Sequence, residues 1–319
     1  MEFLRGCDLL KNKKSGHFFA LLTVFIWGAT YTSTKVLLEN LSPIEILLYR
    51  FLVAYFLLFI LYPKLHKIRS LKEECLFLGA GFTGVMLFFL IENIALQYTL
   101  ASNVGILVST SPLLTALIAY KVLKEGKLSK SMLIGFGVTM SGVILLITNG
   151  TFSLTFNPTG DLLALSAAII WSVYSILLKK LGNSNNYIYI TRKVFFYGLI
   201  TMIPILILTD FSFDSNKLFV PDVLANLFFL SFGASALCFV WWNIAIQTIG
   251  VVRTNNYIYL VPLFTVATAS VVLNEQLTGA SVVGALFIVI GLYVSENNFN
   301  KVLKVFKNKL TINNVNKNM

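Results

Sequence analysis

The chain is predicted to be an all-α polytopic membrane protein, with ten transmembrane helices in two inverted five-helix repeats and both termini cytoplasmic. Three observations carry this reading. Hydrophobic residues make up 57% of 319 and charged residues 12%, with a mean hydropathy of +0.80, well outside the soluble range. Landmarks of the first half recur in the second. Basic residues gather on one side of the apolar runs.

The runs fall at 18–38, 44–62, 75–96, 101–120, 131–148, 161–179, 188–208, 223–247, 253–273 and 279–296. Each is close to the ~20 residues that a helix needs to cross ~30 Å of hydrocarbon. A buried helix of a soluble protein can imitate one such run, but hardly ten in succession. The runs are too long for barrel strands and lack period-two alternation. The first follows a basic stretch, as a signal peptide would. It is a full span carrying Trp27 and Tyr31 and belongs to the repeat, so it is expected to be retained.

The repeat is read from spacing. Asn93, Ala95 and Gln97 recur 150 positions later as Asn243, Ala245 and Gln247. Pro112 and Glu125 recur at the same spacing as Pro262 and Glu275. Trp27 and Lys35 recur 144 positions on as Trp171 and Lys179, and Gly142 recurs 149 on as Gly291. The expected organisation is an N-terminal tail (1–17), a first repeat (18–148), an external linker (149–160), a second repeat (161–296) and a basic tail (297–319).

Charge sets the orientation. With the N-terminus inside, 22 of the 25 Lys and Arg residues fall on the inner side, leaving Lys35, Arg50 and Lys217. A bias this large fixes topology. The +11 net charge is therefore a topological signal, and nucleic acid is not an expected partner. Five spans per copy is an odd number, so the second copy enters the membrane from the opposite face. Inverted repeats of this kind recur in secondary transporters.

The runs 95–125 and 245–275, with IWGATYTSTK (26–35) and LLYRFLVAYFLL (47–58), resemble the EamA type of the drug/metabolite transporter superfamily. The similarity covers roughly residues 17–296. It implies a ten-helix inverted arrangement and export or exchange of small metabolites. It also implies a cavity lined by helices 1, 3, 4, 6, 8 and 9, with helices 5 and 10 at the periphery.

Several chemistries are disfavoured. No G-x-x-x-x-G-K-[S/T] loop occurs; the glycines at 79–84 are followed by Val85 and Met86. His17 and His66 lie at the inner surface without ligand-spaced partners, so no metal or other cofactor is expected. Cys7, Cys75 and Cys238 read as free thiols. An intramembrane enzyme would cluster His, Asp or Glu, and a sensor would carry an output domain. Both are weaker readings than export of amino acids or related amphipathic solutes, with import or antiport as the alternative transport mode. Expected partners are a small solute, the bilayer, a proton or counter-substrate, and a second copy of the chain.

The candidate substrate-binding residues follow from symmetry and chemistry. Trp27 and Tyr31 share one face of helix 1, and Trp171 and Tyr174 lie within one turn on helix 6. Such rings pair broad apolar area with one polar tip. Asn93 with Gln97, and Asn243 with Gln247, can orient a ligand of either charge sign. Ser109 and Tyr257 flank Pro112 and Pro262. These two prolines are candidate hinges or gates, a static kink being the alternative, because proline within a helix removes a backbone hydrogen bond. Glu92 breaks the symmetry, since its mate is Trp242. It either binds a cationic group or coupling proton, or reaches headgroup water from near the end of helix 3. Arg50 is assigned a structural role. Glu125 and Glu275 are read as caps of the following loops, Lys35 and Lys179 as snorkelling ends, and 299–306 as an amphipathic segment on the inner leaflet.

Overall fold

The computed structural model describes residues 12–67, 69–99, 101–124, 129–148, 157–182, 186–209, 211, 215–272 and 278–296. Cys7, Glu125, Glu275, most of the linker and the basic tail lie outside them. The described residues are helical, without strands.

In chain order the helices are α1 (Lys13–Leu38), α2 (Pro43–Leu61) and α3 (Leu71–Tyr98). Then come α4 in two pieces (Ala101–Val108 and Ser111–Val122) and α5 (Lys130–Ile147). The second half holds α6 (Pro158–Leu181), α7 (Tyr187–Leu208) and α8 (Pro221–Ile249). It ends with α9 in three pieces (Val251–Asn256, Tyr257–Leu260 and Val261–Val272) and α10 (Gly279–Glu296). By length and composition α1 to α8 can each cross a membrane, and a shorter apolar helix covers Gly279–Ser295.

Local chemistry sets the ends. Ser42 caps α2 through a capping box with Glu45, and Pro43 follows in the first turn, where its missing N–H costs nothing. Asn157 caps α6 by accepting from the Gly160 N–H, again with proline next. Asp161 Oδ1 accepts from the Thr99 hydroxyl at 2.8 Å, tying the start of α6 to the end of α3.

Three structural features recur in repeat register. Both α3 and α8 pass through π-helical turns, at Phe82–Leu87 and Phe229–Leu237. Both proline-bearing helices are broken. In α4 a turn at 109–110 precedes Ser111, and in α9 the 3₁₀ turn Tyr257–Leu260 precedes Val261. Pro112 and Pro262 therefore stand in the first turn of a new helix. The sequence reading put them inside a continuous one; here the break comes first, so proline forfeits no intrahelical bond.

Packing is reciprocal as well. α1 packs on α8 and α9 as α6 packs on α3 and α4, and α2 meets the π-turn of α8 as α7 meets that of α3. α5 and α10 pair with each other. A Cβ on Gly142 would stand 2.7 Å from the Gly284 carbonyl oxygen, and one on Gly135 would stand 2.6 Å from that of Gly291. Gly135 and Gly284 are repeat mates, as are Gly142 and Gly291, so each contact is the exchange image of the other. Small residues let the two backbones touch, as membrane interfaces favour.

Candidate functional site

The broken helices and α1, α2, α3 and α6 enclose a cavity of about 500 Å³, part of it open to solvent. That volume suits a small organic ligand. Its wall is formed by Trp27, Thr30 and Tyr31 of α1, Arg50 of α2, and Phe88, Phe89 and Glu92 of α3. Val108 and Ser111 of α4, Trp171 of α6, and Ile258 and Val261 of α9 complete it. Six of these form repeat-mate pairs, namely Trp27 with Trp171, Val108 with Ile258 and Ser111 with Val261. The helix breaks thus lie at the cavity wall.

The aromatic floor is held by defined bonds. The Trp27 and Trp171 rings meet edge to face at 5.3 Å, and Trp242 tilts against Trp27 at 4.9 Å. Trp27 Nε1 donates to the Ala234 carbonyl at 3.0 Å. Trp171 Nε1 donates to Asn255 Oδ1 at 3.1 Å, which also accepts from the Ser175 hydroxyl at 3.3 Å. Ser172 Oγ reaches the Ser111 carbonyl at 3.1 Å across the α4 break. Each indole is thus fixed at its polar tip.

Two opposite charges share the wall. Glu92 is 7% exposed and its Oε1 accepts from the Tyr31 hydroxyl at 3.1 Å. This corrects the headgroup-water reading of Glu92, since the carboxylate turns inward to the cavity. Arg50 is 5% exposed; its Nε donates to Ser235 Oγ at 2.5 Å and its guanidinium lies over the Phe89 ring at 4.4 Å. Among the described residues the two charges make no ion pair within 4.0 Å.

Of the predicted residues, Trp27, Tyr31, Glu92 and Trp171 line the cavity together. Tyr174 stacks behind Trp171, with centroids 5.1 Å apart. Asn93, Asn243 and Ser109 are buried off the wall, and the Ser109 hydroxyl is spent on the Gly105 carbonyl. Gln97 is exposed at the end of α3. Gln247 Nε2 donates to the Leu178 carbonyl at 2.9 Å, and Tyr257 Oη pairs with His17 Nδ1 at 2.8 Å. His17 is therefore inside α1, where the sequence placed it beyond the span. Sequence reasoning missed Thr30, Phe88, Phe89, Val108, Ser111, Ile258 and Val261, and gave Arg50 only a structural part. Repeat register could have found four of them, since Val108 with Ile258 and Ser111 with Val261 match at the spacing of the prolines.

The two halves differ at this cavity. Tyr31, Phe88, Phe89 and Glu92 face it, whereas their repeat mates Ser175, Cys238, Phe239 and Trp242 are packed shut. Beneath them α6 and α8 are sewn together, because Lys179 Nζ reaches the Ile246 carbonyl at 3.4 Å beside the Gln247–Leu178 bond. Lys179 is thus a cross-helix tie as well as a helix-end cation. Trp242 Nε1 and both amide atoms of Asn243 are buried without partners.

Comparison with known proteins agrees with this architecture. The profile of the EamA-like transporter family matches residues 14–148 and again 158–296, once for each half. An "Uncharacterized transporter" of Archaeoglobus fulgidus is 30% identical over 288 residues, covering 89% of this chain and 98% of that one. A "Probable amino-acid metabolite efflux pump" of Salmonella typhimurium is 26% identical, covering 89% and 95%. One protein of known crystal structure superposes with a TM-score of 0.71 at 19% identity, covering 88% of this chain and 96% of that one. The chain belongs to the EamA-like transporter family, as a multi-pass membrane protein of the drug/metabolite transporter superfamily.

Proposed function

We propose that the protein is a secondary transporter that exports small organic metabolites, amino acids or related amphipathic solutes, by alternating access. The observation that carries the reading is the half-open ring. One set of residues lines a cavity while its repeat mates form sealed core. Exchanging the two arrangements would open a cavity lined by Ser175, Cys238, Phe239 and Trp242 and seal the present one. The unpartnered polar atoms of Trp242 and Asn243 fit this, because a wet cavity would satisfy them in the exchanged state.

Ten spans with cytoplasmic termini complete the proposal. In that orientation the cavity faces outward, and the Lys179, Gln247 and His17 bonds close the inner side. Pro112 and Pro262 then act at the gates, where pre-broken helices can reorient without losing further backbone bonds. The exporter assignment draws support from the name carried by the Salmonella relative. The test is purified protein in liposomes, screened with labelled amino acids, amines, sugars and nucleosides under imposed pH gradients. Efflux of at least one class above empty vesicles is expected; no movement of any class refutes transport by this chain.

A further inference from the structure

The cavity wall carries a cation and a carboxylate, and neither neutralises the other. An ionised side chain within a span costs ~2.5–3.5 kcal/mol on insertion scales, so it persists only with partners. Arg50 has five N–H donors. One goes to Ser235, and its flat face rests over Phe89 and, at 5.2 Å, over Phe51. The terminal guanidinium nitrogens carry no hydrogen bond among the described residues. Glu92 spends Oε1 on Tyr31, and its Oε2 is likewise unengaged. The hydroxyl of Ser111, on the same wall, is buried without a partner.

We propose that the cavity takes a zwitterion, an α-amino acid with an apolar side chain, its carboxylate held by Arg50 and its ammonium by Glu92. This rests on the transport reading above and names the solute class for the same cavity. The physical case is complementarity. A guanidinium fork matches a carboxylate in two parallel bonds, and here two of its nitrogens remain free to make them. An ammonium beside Glu92 gains a carboxylate acceptor and lies close to the indole faces of Trp27 and Trp171, which attract cations. The remaining wall, Phe88, Phe89, Val108 and Ile258, is apolar and suits a hydrocarbon or aromatic side chain. An amine alone leaves Arg50 uncompensated, an acid alone leaves Glu92 so, and a neutral solute leaves both. Only a solute with both charges closes the set.

The test compares L-phenylalanine, 2-phenylethylamine and 3-phenylpropanoate by calorimetric binding to the full chain in nanodiscs at neutral pH. L-Phenylalanine is expected to bind at least about tenfold tighter than either analogue, since a site built to engage a polar group rejects ligands that lack it. In Arg50→Gln the carboxylate should cease to matter, so L-phenylalanine and 2-phenylethylamine bind alike. In Glu92→Gln the ammonium should cease to matter, so L-phenylalanine and 3-phenylpropanoate bind alike. This crossover is a readout that a merely structural role would not produce. Equal weakening of all three ligands in both variants overturns the assignment, as does wild-type binding that ignores the missing group. If Arg50→Gln does not fold, the Glu92→Gln arm decides alone. Transport of sugars or nucleosides with no amino acid bound removes the zwitterion while leaving the transporter. Liposomes that move nothing remove the transporter itself.

Discussion

Gly182 offers a handle on the closed half. A Cβ there would land on the amide carbon, oxygen and nitrogen of Gln247, the far end of a flexible side chain. In Gly182→Ala the amide must swing away and surrender its 2.9 Å bond to the Leu178 carbonyl. A bond of this kind contributes ~0.5–1.5 kcal/mol net. If it forms only while the inner side is shut, its loss shifts the shut-to-open equilibrium by about two- to twelvefold. Cys238 reports on that shift, because its thiol is fully buried in the sealed half. In a background with Cys7 and Cys75 changed to serine, a permeant maleimide should alkylate Cys238 about two to twelve times faster in Gly182→Ala. Gln247→Ala should give the same acceleration, and the double variant no more, since both remove one interaction. An unchanged alkylation rate in a folded Gly182→Ala protein, or fully additive effects in the double variant, refutes the latch.

Gly142→Leu should destabilise the protein by roughly 1–3 kcal/mol, because its side chain meets the backbone of α10 and cannot be accommodated by a rotamer change; a melting curve in detergent that matches wild type refutes this. Pro112→Ala should leave the melting temperature nearly unchanged, as the proline sacrifices no helical bond. It should slow efflux in liposomes by letting α4 run continuously, and unaltered turnover would rule out a gating role. Trp171→Phe removes the indole donor to Asn255 and should cost ~0.5–1.5 kcal/mol of stability, measured by thermal unfolding, while Ser175 retains the shared acceptor. Equal melting of the two proteins would show that bond to be inert.

Much of the architecture is legible in spacing because lipid leaves few options. Apolar runs near twenty residues must become helices, and α1 to α8 do so with the length to cross. α9 does not read as an uninterrupted rod because a 3₁₀ turn precedes Pro262. The π-turns of α3 and α8 left no compositional trace, since one extra residue per turn alters no hydrophobic pattern. Within the site, Trp27 and Trp171 stand out because tryptophan is scarce, with four in the chain, whereas Phe88 and Phe89 are hidden among 27 phenylalanines. Asn93 and Gln97 share a helical face by spacing, yet one is buried and the other exposed, because α3 meets its neighbours along part of its length. Arg50 was misjudged for a different reason. A charge in a span announces that it has partners, and spacing says nothing of how many of its donors they use.

The glycine contacts between α5 and α10 have a consequence for any motion of the molecule. Gly135 touches Gly291 and Gly142 touches Gly284, so swapping the two halves maps this seam onto itself. A region invariant under that exchange has no cause to change when the halves trade conformations. It is the fixed shaft about which other helices turn. Probes mounted along it should report one constant distance, a built-in reference against which every moving part can be measured.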